Sequence, residues 1–295
     1  MNDSNRFISL MSDYGFKIVF ADESDTLFLR KSLQALIQSP YLIKEVEFLR
    51  HEFSGITSKG RGGIYDLFCK DEKGNHFIVE MQLGHYKNYV QRSKFYAFQK
   101  FNTIVKKGKG KFTELPKIYC IGLLAHNIFP KSELYYHFST LKNQIGEEID
   151  NQTVHIFVEI RKFKKQEKEI NSDLDKLIFI MKNLEDIEGI KKKPLFMNEE
   201  WIDKALRKLD ISKMTPDQRM FYEIALAKNA SVKEMQEERE QKVRKEGKIE
   251  GKKEGKKEER EKMTKETAKK LKAKGWSLEE IAEFTGLEKS EIEKL

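Results

Sequence analysis

IYDLFC (residues 64–69) and HFIVEMQ (residues 76–82), joined by KDEKGN (residues 70–75), form the stretch that decides the fold. The outer segments are rich in aromatic and β-branched residues, and the middle segment ends in Gly74-Asn75. Strand-forming segments that flank a short polar turn are typical of a β-hairpin. The sequence therefore predicts two adjacent antiparallel strands at the centre of the protein.

Three polar residues, Asp66, Glu80 and Gln82, interrupt the apolar pattern of this hairpin. Alternate residues of a strand share a face, so Glu80 and Gln82 point the same way, and the hairpin brings Asp66 near Glu80. Two neighbouring carboxylates repel each other unless a proton or a cation intervenes, and a hard divalent ion such as Mg²⁺ relieves that repulsion. The trio is therefore a candidate metal-dependent hydrolytic site. The alternative is a set of ordinary polar residues on an exposed hairpin face.

Apolar spacing on both sides of the hairpin predicts further helices and strands. Pro40 ends the first helical pattern. These elements are predicted as helices at 13–38 and 87–107, as strands at 115–124 and 154–160, and as a short strand or a loop-edge element at 44–53. Their order is typical of an α/β (α+β) fold, in which helices flank a mixed sheet.

The second half of the chain changes to a helical pattern. Residues 172–229 show helical spacing with breaks near Gly189–Pro194 and near Pro216, and Ser277 and Glu280 have the spacing of a capping box. Short helices around the turn at Thr285-Gly286 are similar to a helix-turn-helix, although this segment is acidic. We predict four segments, namely a core at 1–165, a helical extension at 166–230, a charged Gly/Lys/Glu connector at 231–274 and a small helical segment at 275–295.

The net charge of +8 is concentrated in the connector. Residues 241–274 hold 15 Lys+Arg against 7 Asp+Glu, or +8, whereas residues 275–295 hold 2 against 6, or −4. The basic run is suited to contacting phosphates, with a solvated charged helix as the alternative. Gly247, Gly251 and Gly255 recur every four residues there, which predicts a marginal exposed helix or a flexible connector.

Cysteine content and hydropathy indicate the cellular compartment in which the protein is found. Cys69 and Cys120 lie inside apolar runs and outside any paired metal-ligand spacing, which favours reduced thiols. No stretch has the length and apolarity of a signal peptide or a membrane span. We therefore expect a cytoplasmic protein without a membrane partner.

Four motifs resemble those of a known enzyme family. The hairpin residues Asp66-Leu-Phe and Val79-Glu80-Met-Gln82 resemble the PD-(D/E)XK nuclease superfamily, and more closely its recombination-promoting nuclease/putative transposase (Rpn) branch. The segments Asp13–Phe20, Arg92–Tyr96 and Val158–Phe163 are similar to its opening helix, to the helix after the site and to a late strand. The resemblance implies a restriction-endonuclease-like sheet core flanked by helices, followed by a helical C-terminal extension.

The resemblance also implies roles for the acidic residues. Asp66 and Glu80 would be ligands of Mg²⁺, or of Mn²⁺, and Gln82 would occupy the catalytic position where many members of the superfamily have lysine. A glutamine can orient water but supplies no positive charge. Asp13 would complete the acidic cluster from the first helix, or would instead cap a helix that begins near Tyr14.

Three further residues are implied as contacts to DNA. Arg92 and Tyr96 are four residues apart and share a helix face, from which they could reach the scissile phosphate or support the ligands. Lys17 of the opening helix is the third candidate, and Arg92 is also a candidate catalytic residue. For Tyr96, packing in the core is the alternative.

The leading hypothesis is a metal-dependent DNA endonuclease associated with recombination or mobile elements. A second hypothesis is a catalytically weak nucleic-acid-binding module that retains the nuclease fold, since Gln82 replaces lysine and residues 241–274 are basic. A third hypothesis is an interaction protein that forms homo-oligomers through the C-terminal helical region.

Overall fold

A six-stranded mixed sheet organises the first part of the chain in a computed structural model of the protein. The structure describes residues 6–50, 52–53, 63–84, 88–104, 115–185 and 194–295. Two compact units, Met1–Asn229 and Ala230–Leu295, divide the chain. The boundaries of the four segments proposed from the sequence remain a prediction.

The strands of the sheet follow the order β1-β4-β5-β6-β8-β7, and a separate two-stranded ribbon contains β2 and β3. Strands β5, β6 and β8 are parallel neighbours, whereas β1, β4 and β7 pair antiparallel with theirs. The mixed sheet confirms the predicted fold class. The strands are β1 (Val46–Phe48), β2 (Glu52–Phe53), β3 (Gly63–Ile64), β4 (Leu67–Asp71), β5 (His76–Gln82), β6 (Ile118–Leu124), β7 (Tyr136–Lys142) and β8 (Glu148–Glu159).

Helices cover both faces of this sheet. Odd-numbered residues of β5, such as Phe77 and Val79, pack into the main core beneath the helices that open and close the first unit, whereas Ile78 packs with Tyr96 and Ala97 on the other face. The helices are α1 (Asp13–Phe20), α2 (Leu27–Ile37), α3 (Tyr89–Ile104), α4 (Asp173–Asn183), α5 (Glu200–Leu209), α6 (Pro216–Ala273), α7 (Leu278–Thr285) and α8 (Lys289–Glu293). Since side chains alternate along a strand, Glu80 and Gln82 lie on the α3 side.

The central hairpin is present, but its first strand is shorter than predicted. β4 begins at Leu67, opposite Val79, and Asp66 lies in a bend just before it. The turn is held by the buried Asp71 carboxylate, which accepts hydrogen bonds from the backbone N–H groups of Lys73 and Asn75 at 3.0 and 2.9 Å. The polar turn residues thus act as the sequence predicted.

The prediction of one helix over 13–38 is wrong, because the chain forms two helices there. Asp22 and Asp25 lie between α1 and α2, and their carboxylates accept hydrogen bonds from the backbone N–H groups of Ser24 and Leu27. Such local side-chain bonds compete with helical hydrogen bonds. The α2 helix ends at Gln38, which has a φ of 48°, before Pro40.

Helical structure continues through the glycine-rich connector. The helix α6 has 58 residues and starts at Pro216, a position where proline loses no helical hydrogen bond. In the second unit, α7 and α8 pack on the end of α6 through the buried Ala268, Ile281 and Ile292. The predicted capping box is confirmed, since Ser277 and Glu280 bond to each other's backbone N–H groups. The predicted break near Gly189 and the predicted helical residues 87 and 105–107 lie outside the described residues.

Candidate active site

The side chains of Asp66 and Glu80 are linked through the backbone at the start of the hairpin. The Asp66 N–H donates to Glu80 Oε1 at 3.2 Å, and Asp66 Oδ2 accepts from the Met81 N–H at 2.8 Å. Asp66 precedes β4, so its backbone does not belong to the β4–β5 pairing. At this point the two bonds, each between a backbone N–H and a side-chain carboxylate, connect the chain to β5. The two carboxylates are therefore held side by side at a fixed point of the sheet.

Gln82 and Arg92 complete the immediate surroundings of Glu80. The Gln82 amide donates to Met81 O at 3.1 Å and approaches Glu80 Oε2 at 3.5 Å. The Arg92 guanidinium, which reaches the site from α3, lies 3.4 Å from the same Oε2. The structure thus brings together Asp66, Glu80, Gln82 and Arg92, four of the residues singled out in the sequence.

Burial changes the protonation of this pair. Glu80 is 5% exposed, and burial together with the negative charge of Asp66 raises its pKa to about 8, against a smaller opposing effect of Arg92. Burial also raises the pKa of Asp66, although the Met81 N–H opposes this by stabilising the charged form. A pKa of about 8 favours a proton on Glu80 at neutral pH, which indicates that the surrounding protein groups do not fully compensate two negative charges.

Tyr89 was not recognised as a site residue, although it forms the wall behind Glu80. Its ring is buried, lies 5.1 Å from the Arg92 guanidinium and covers Gly122 of β6, the residue paired with Glu80. A Cβ added to Gly122 would lie 2.6 Å from the tyrosine hydroxyl oxygen, so only glycine leaves room for the ring. Neither residue stands out in a single sequence, because their contact joins a helix to a distant strand.

Asp13 and Lys17 approach the pair from α1. Their electrostatic effect on Asp66 has opposite signs, since Asp13 raises the pKa of Asp66 and Lys17 lowers it. The two side chains form an ion pair at 3.0 Å across one helical turn. The N-cap of α1 is Ser12, whose hydroxyl accepts from the Gly15 N–H at 2.9 Å, so the alternative that Asp13 caps the helix is wrong.

No third ligand joins the carboxylate pair in the described part of the chain. Within those residues, no three His, Cys, Asp or Glu side chains lie close enough together to hold a metal ion. Asp13 influences the pKa of Asp66, and its role as a metal ligand remains a prediction. Tyr96, predicted to contact the substrate, is mostly buried in the cluster formed with Tyr65 and Phe68, and its ring lies 5.9 Å from the Arg92 guanidinium.

Another buried carboxylate, Glu159, lies at the end of β8 in the same row of the sheet as Gln82. It accepts hydrogen bonds from the Phe129 N–H at 3.0 Å, from His137 Nε2 at 2.9 Å and from Lys162 Nζ at 2.6 Å. These bonds lower its pKa in spite of its burial. The family resemblance includes this part of the chain, but the roles of Glu159 and Lys162 are visible only in the structure. There both side chains bind the backbone of the loop that follows β6.

Comparison with known proteins supports the family resemblance that the sequence motifs indicate. Residues 10–239 match the family model described as PD-(D/E)XK nuclease family transposase. This match confirms the resemblance found in the motifs and extends through the first unit. Neither a curated protein nor a solved structure matches the chain significantly. None of the described helices has the length and apolar character that crossing a membrane requires.

Proposed function

The chain belongs to the PD-(D/E)XK nuclease family of transposases, and from this premise we propose that it hydrolyses phosphodiester bonds of DNA with the help of a divalent cation. The observation that carries the proposal is the geometry of the half-buried Asp66 and the buried Glu80, two carboxylates fixed side by side by hydrogen bonds to backbone N–H groups. We further propose a role in recombination or in mobile elements. The cytoplasmic location inferred from the sequence remains a prediction.

The donor set fits magnesium. Mg²⁺ usually keeps several of its waters and is bound through one or two carboxylates, so Asp66 and Glu80 suffice without a third protein ligand. A cation between them would compensate the negative charge that raises the pKa of Glu80. When bound, the ion would polarise the phosphodiester and lower the pKa of a coordinated water. Mn²⁺ has the same preference for oxygen ligands and would be the second choice.

The neighbouring side chains supply the remaining functions. The Gln82 amide nitrogen lies 3.5 Å from Glu80 Oε2, and the carbonyl oxygen of the same amide can accept a hydrogen bond from an attacking water and so orient it. Arg92 contributes the permanent positive charge that glutamine lacks, and its 3.4 Å contact with Glu80 places this charge next to the ligand pair. Lys17 supplies a second cation from α1 that can bind the phosphate of the substrate. The ring of Tyr96, 5.9 Å from the Arg92 guanidinium, supports the position of that arginine.

Plasmid nicking tests this proposal. Asp66→Asn and Glu80→Gln keep the shape of each side chain and remove its charge, so both variants should lose Mg²⁺-dependent nicking of supercoiled DNA. The matched control is Glu47→Gln, which neutralises an exposed carboxylate of β1 that pairs with Lys70, and it should nick like the wild type. Nicking by Asp66→Asn at the wild-type rate, or nicking unaffected by EDTA, would refute the proposal. A parallel assay with RNA establishes which nucleic acid is cut.

A catalytically weak nucleic-acid-binding module is the second candidate. The observation that favours it is the contact of the Gln82 amide with Met81 O, which occupies a donor in the position where a lysine would supply charge. In this case the wild type would bind DNA without nicking it, and binding would persist in EDTA and weaken steeply with salt. Self-association through the C-terminal helical region is compatible with either function and remains a separate prediction.

A further inference from the structure

A cavity of about 320 Å³ lies within the first unit, between α1, α5 and the start of α6. Its lining combines the apolar side chains of Tyr14, Ile18 and Met214 with three cations and two carboxylates, namely Arg207, Lys208, Lys213, Asp22 and Asp210. Lys208 forms an ion pair with Asp22, so the cations considered for an external anion are Arg207 and Lys213. The acid pair Asp66 and Glu80 does not line this cavity, and neither do Gln82, Arg92 and Lys17. It is therefore a second potential binding place on the same unit.

The cavity shares α1 with the candidate active site. Asp13 and Lys17, which influence Asp66, occupy one face of this helix, whereas Tyr14 and Ile18 lie about 100° further round the helix axis. A helix with its side chains is about 10–12 Å across. A ligand that passes over the active site can consequently reach the cavity by crossing a single helix.

The charged groups around the cavity are arranged with the cations outermost. The Arg207 side chain is 69% exposed and pairs with Asp203, which is 31% exposed. Arg6 and Lys213 are each 53% exposed and share one carboxylate, Asp210, which is 1% exposed. In each pair the cation is thus more exposed to solvent than its carboxylate partner.

Asp210 leaves the Lys213 ammonium able to bind an external anion. Asp210 Oδ1 accepts from the Ser212 N–H and hydroxyl, and Oδ2 accepts from Arg6 at 3.0 and 3.2 Å. Lys213 Nζ is 3.8 Å from Oδ2, which is too long for a hydrogen bond. Its donors can therefore turn towards a phosphate without breaking a bond to Asp210.

The uncharged part of the cavity is suited to a sugar. The Tyr14 hydroxyl donates to the Gln218 carbonyl at 3.2 Å, and its ring lies 5.8 Å from that of Tyr222, so the aromatic surface is fixed. Ile18 and Met214 extend this surface. Alternation of cationic and apolar groups matches a nucleic acid backbone, in which phosphates alternate with deoxyribose.

We propose that this cavity, with Arg207 and Lys213 at its rim, holds backbone phosphates of the DNA strand that flanks the scissile bond. The inference rests on the proposed function, since it extends the same DNA across α1. Phosphates follow each other about every 3.4 Å along one strand of the duplex axis, so the width of a helix corresponds to roughly three nucleotides. The enzyme would therefore require DNA on one side of the cut and would lose affinity for substrates that end at the site.

The spread of the cations favours a polymer over a small anion. Arg207 lies on α5, Lys213 lies in the turn after it and Lys17 lies on the neighbouring face of α1, so the positive groups come from three separate places in the chain. A free phosphate or a mononucleotide would engage only some of these groups. Inorganic phosphate could bind the same cations, so it is included in the test as a competitor.

The test measures binding in the absence of cleavage. The parent protein carries Glu80→Gln, and the test variant adds Arg207→Gln and Lys213→Gln, with Arg6 still paired to Asp210. Affinity for a fluorescent 30-base-pair duplex is measured by anisotropy over a series of salt concentrations. Each lost phosphate contact reduces the slope of log K against log salt by roughly 0.9, so we expect the slope to fall by about 2. The matched control is Lys142→Gln, an exposed cation at the end of β7, which should leave affinity and slope unchanged.

The results separate this inference from the proposed function. An unchanged slope in the double variant, or no measurable binding by the parent, overturns the DNA contact even if Asp66-dependent nicking is observed. Competition by millimolar inorganic phosphate that vanishes in the double variant, without any effect of the variant on duplex affinity, also overturns it in favour of a small-anion site. A reduced slope without nicking by the wild type retains the DNA contact and rejects the nuclease.

Discussion

At the scale of single residues, the protonation of Glu80 links the chemistry of the site to stability. The pKa of this carboxyl is raised from 4.5 to about 8, first by burial and then by the charge of Asp66. Between these two pH values, the folded protein binds a proton that the unfolded chain has released. The free energy of unfolding therefore falls as the pH rises through this range, by at most about 1.4 kcal/mol per pH unit.

The metal-free protein should consequently become less stable between pH 6.5 and pH 8. Below that window His76 and His155 act in the opposite sense, because burial lowers the pKa of each to about 4 and the unfolded histidines bind protons up to about pH 6.5. Thermal unfolding followed by circular dichroism in EDTA measures the effect, and Mg²⁺ should restore stability at pH 8. Glu80→Gln removes the titrating group, so parallel curves for this variant and the wild type would contradict the assignment.

The candidate site was predictable from the sequence where its contacts are local. Asp66, Glu80 and Gln82 belong to one hairpin, so their proximity follows from strand geometry, and Arg92 follows in the next helix. Tyr89 and Gly122 could not be paired in advance, because their contact depends on how α3 lies against β6. The capping role given to Asp13 as an alternative failed for another reason, since Ser12 precedes it by one residue and is an equally good cap.

At the scale of elements, the interior strand β6 was recognised from the sequence, whereas the edge strand β7 was not. The continuous apolar run of β6 predicts a buried strand, and all seven of its residues are buried. β7 was not predicted, since YHFSTLK mixes polar and apolar residues and its side chains are mostly exposed. A strand at the sheet edge is held by backbone hydrogen bonds to β8, which leave little mark on the sequence.

The end of β8 depends on the buried ion pair of Glu159 and Lys162. Glu159→Ala would leave the Lys162 ammonium buried without its carboxylate and would remove the acceptor of the Phe129 N–H. Breaking a buried pair in this way costs roughly 3–5 kcal/mol, and urea denaturation should show a loss of that order. Glu148→Ala, at the exposed start of the same strand, is the matched control and should change stability by less than about 0.5 kcal/mol. A small effect of Glu159→Ala would show that the loop after β6 does not rely on this carboxylate.

At the scale of the whole molecule, the acid pair and the surplus of positive charge belong to different units. The buried residues of the main core all precede residue 210, within the first unit, whereas the +8 of residues 241–274 lies in the second. Positive charge that is not part of a reacting centre raises the rate of encounter with DNA and the affinity for it without changing the chemical step. The sequence could locate this charge but could not show that α6 continues through it as one helix.

Truncation after residue 230 should therefore separate binding from chemistry. The shortened chain retains every residue of the acid pair and of the main core, so it should fold and should nick DNA at the wild-type rate when DNA is saturating. Its affinity should fall at low salt, and the salt dependence of binding should become shallower because the basic run is absent.

Neutralising only lysines 252, 253, 256 and 257 in the full chain provides the control, since it removes charge and keeps the C-terminal helices. If truncation lowers the number of chains per particle measured by light scattering while the neutralised chain keeps that number, the C-terminal helices mediate self-association. A loss of nicking at saturating DNA in the truncated protein alone would mean that the second unit, or the assembly it forms, contributes to catalysis itself.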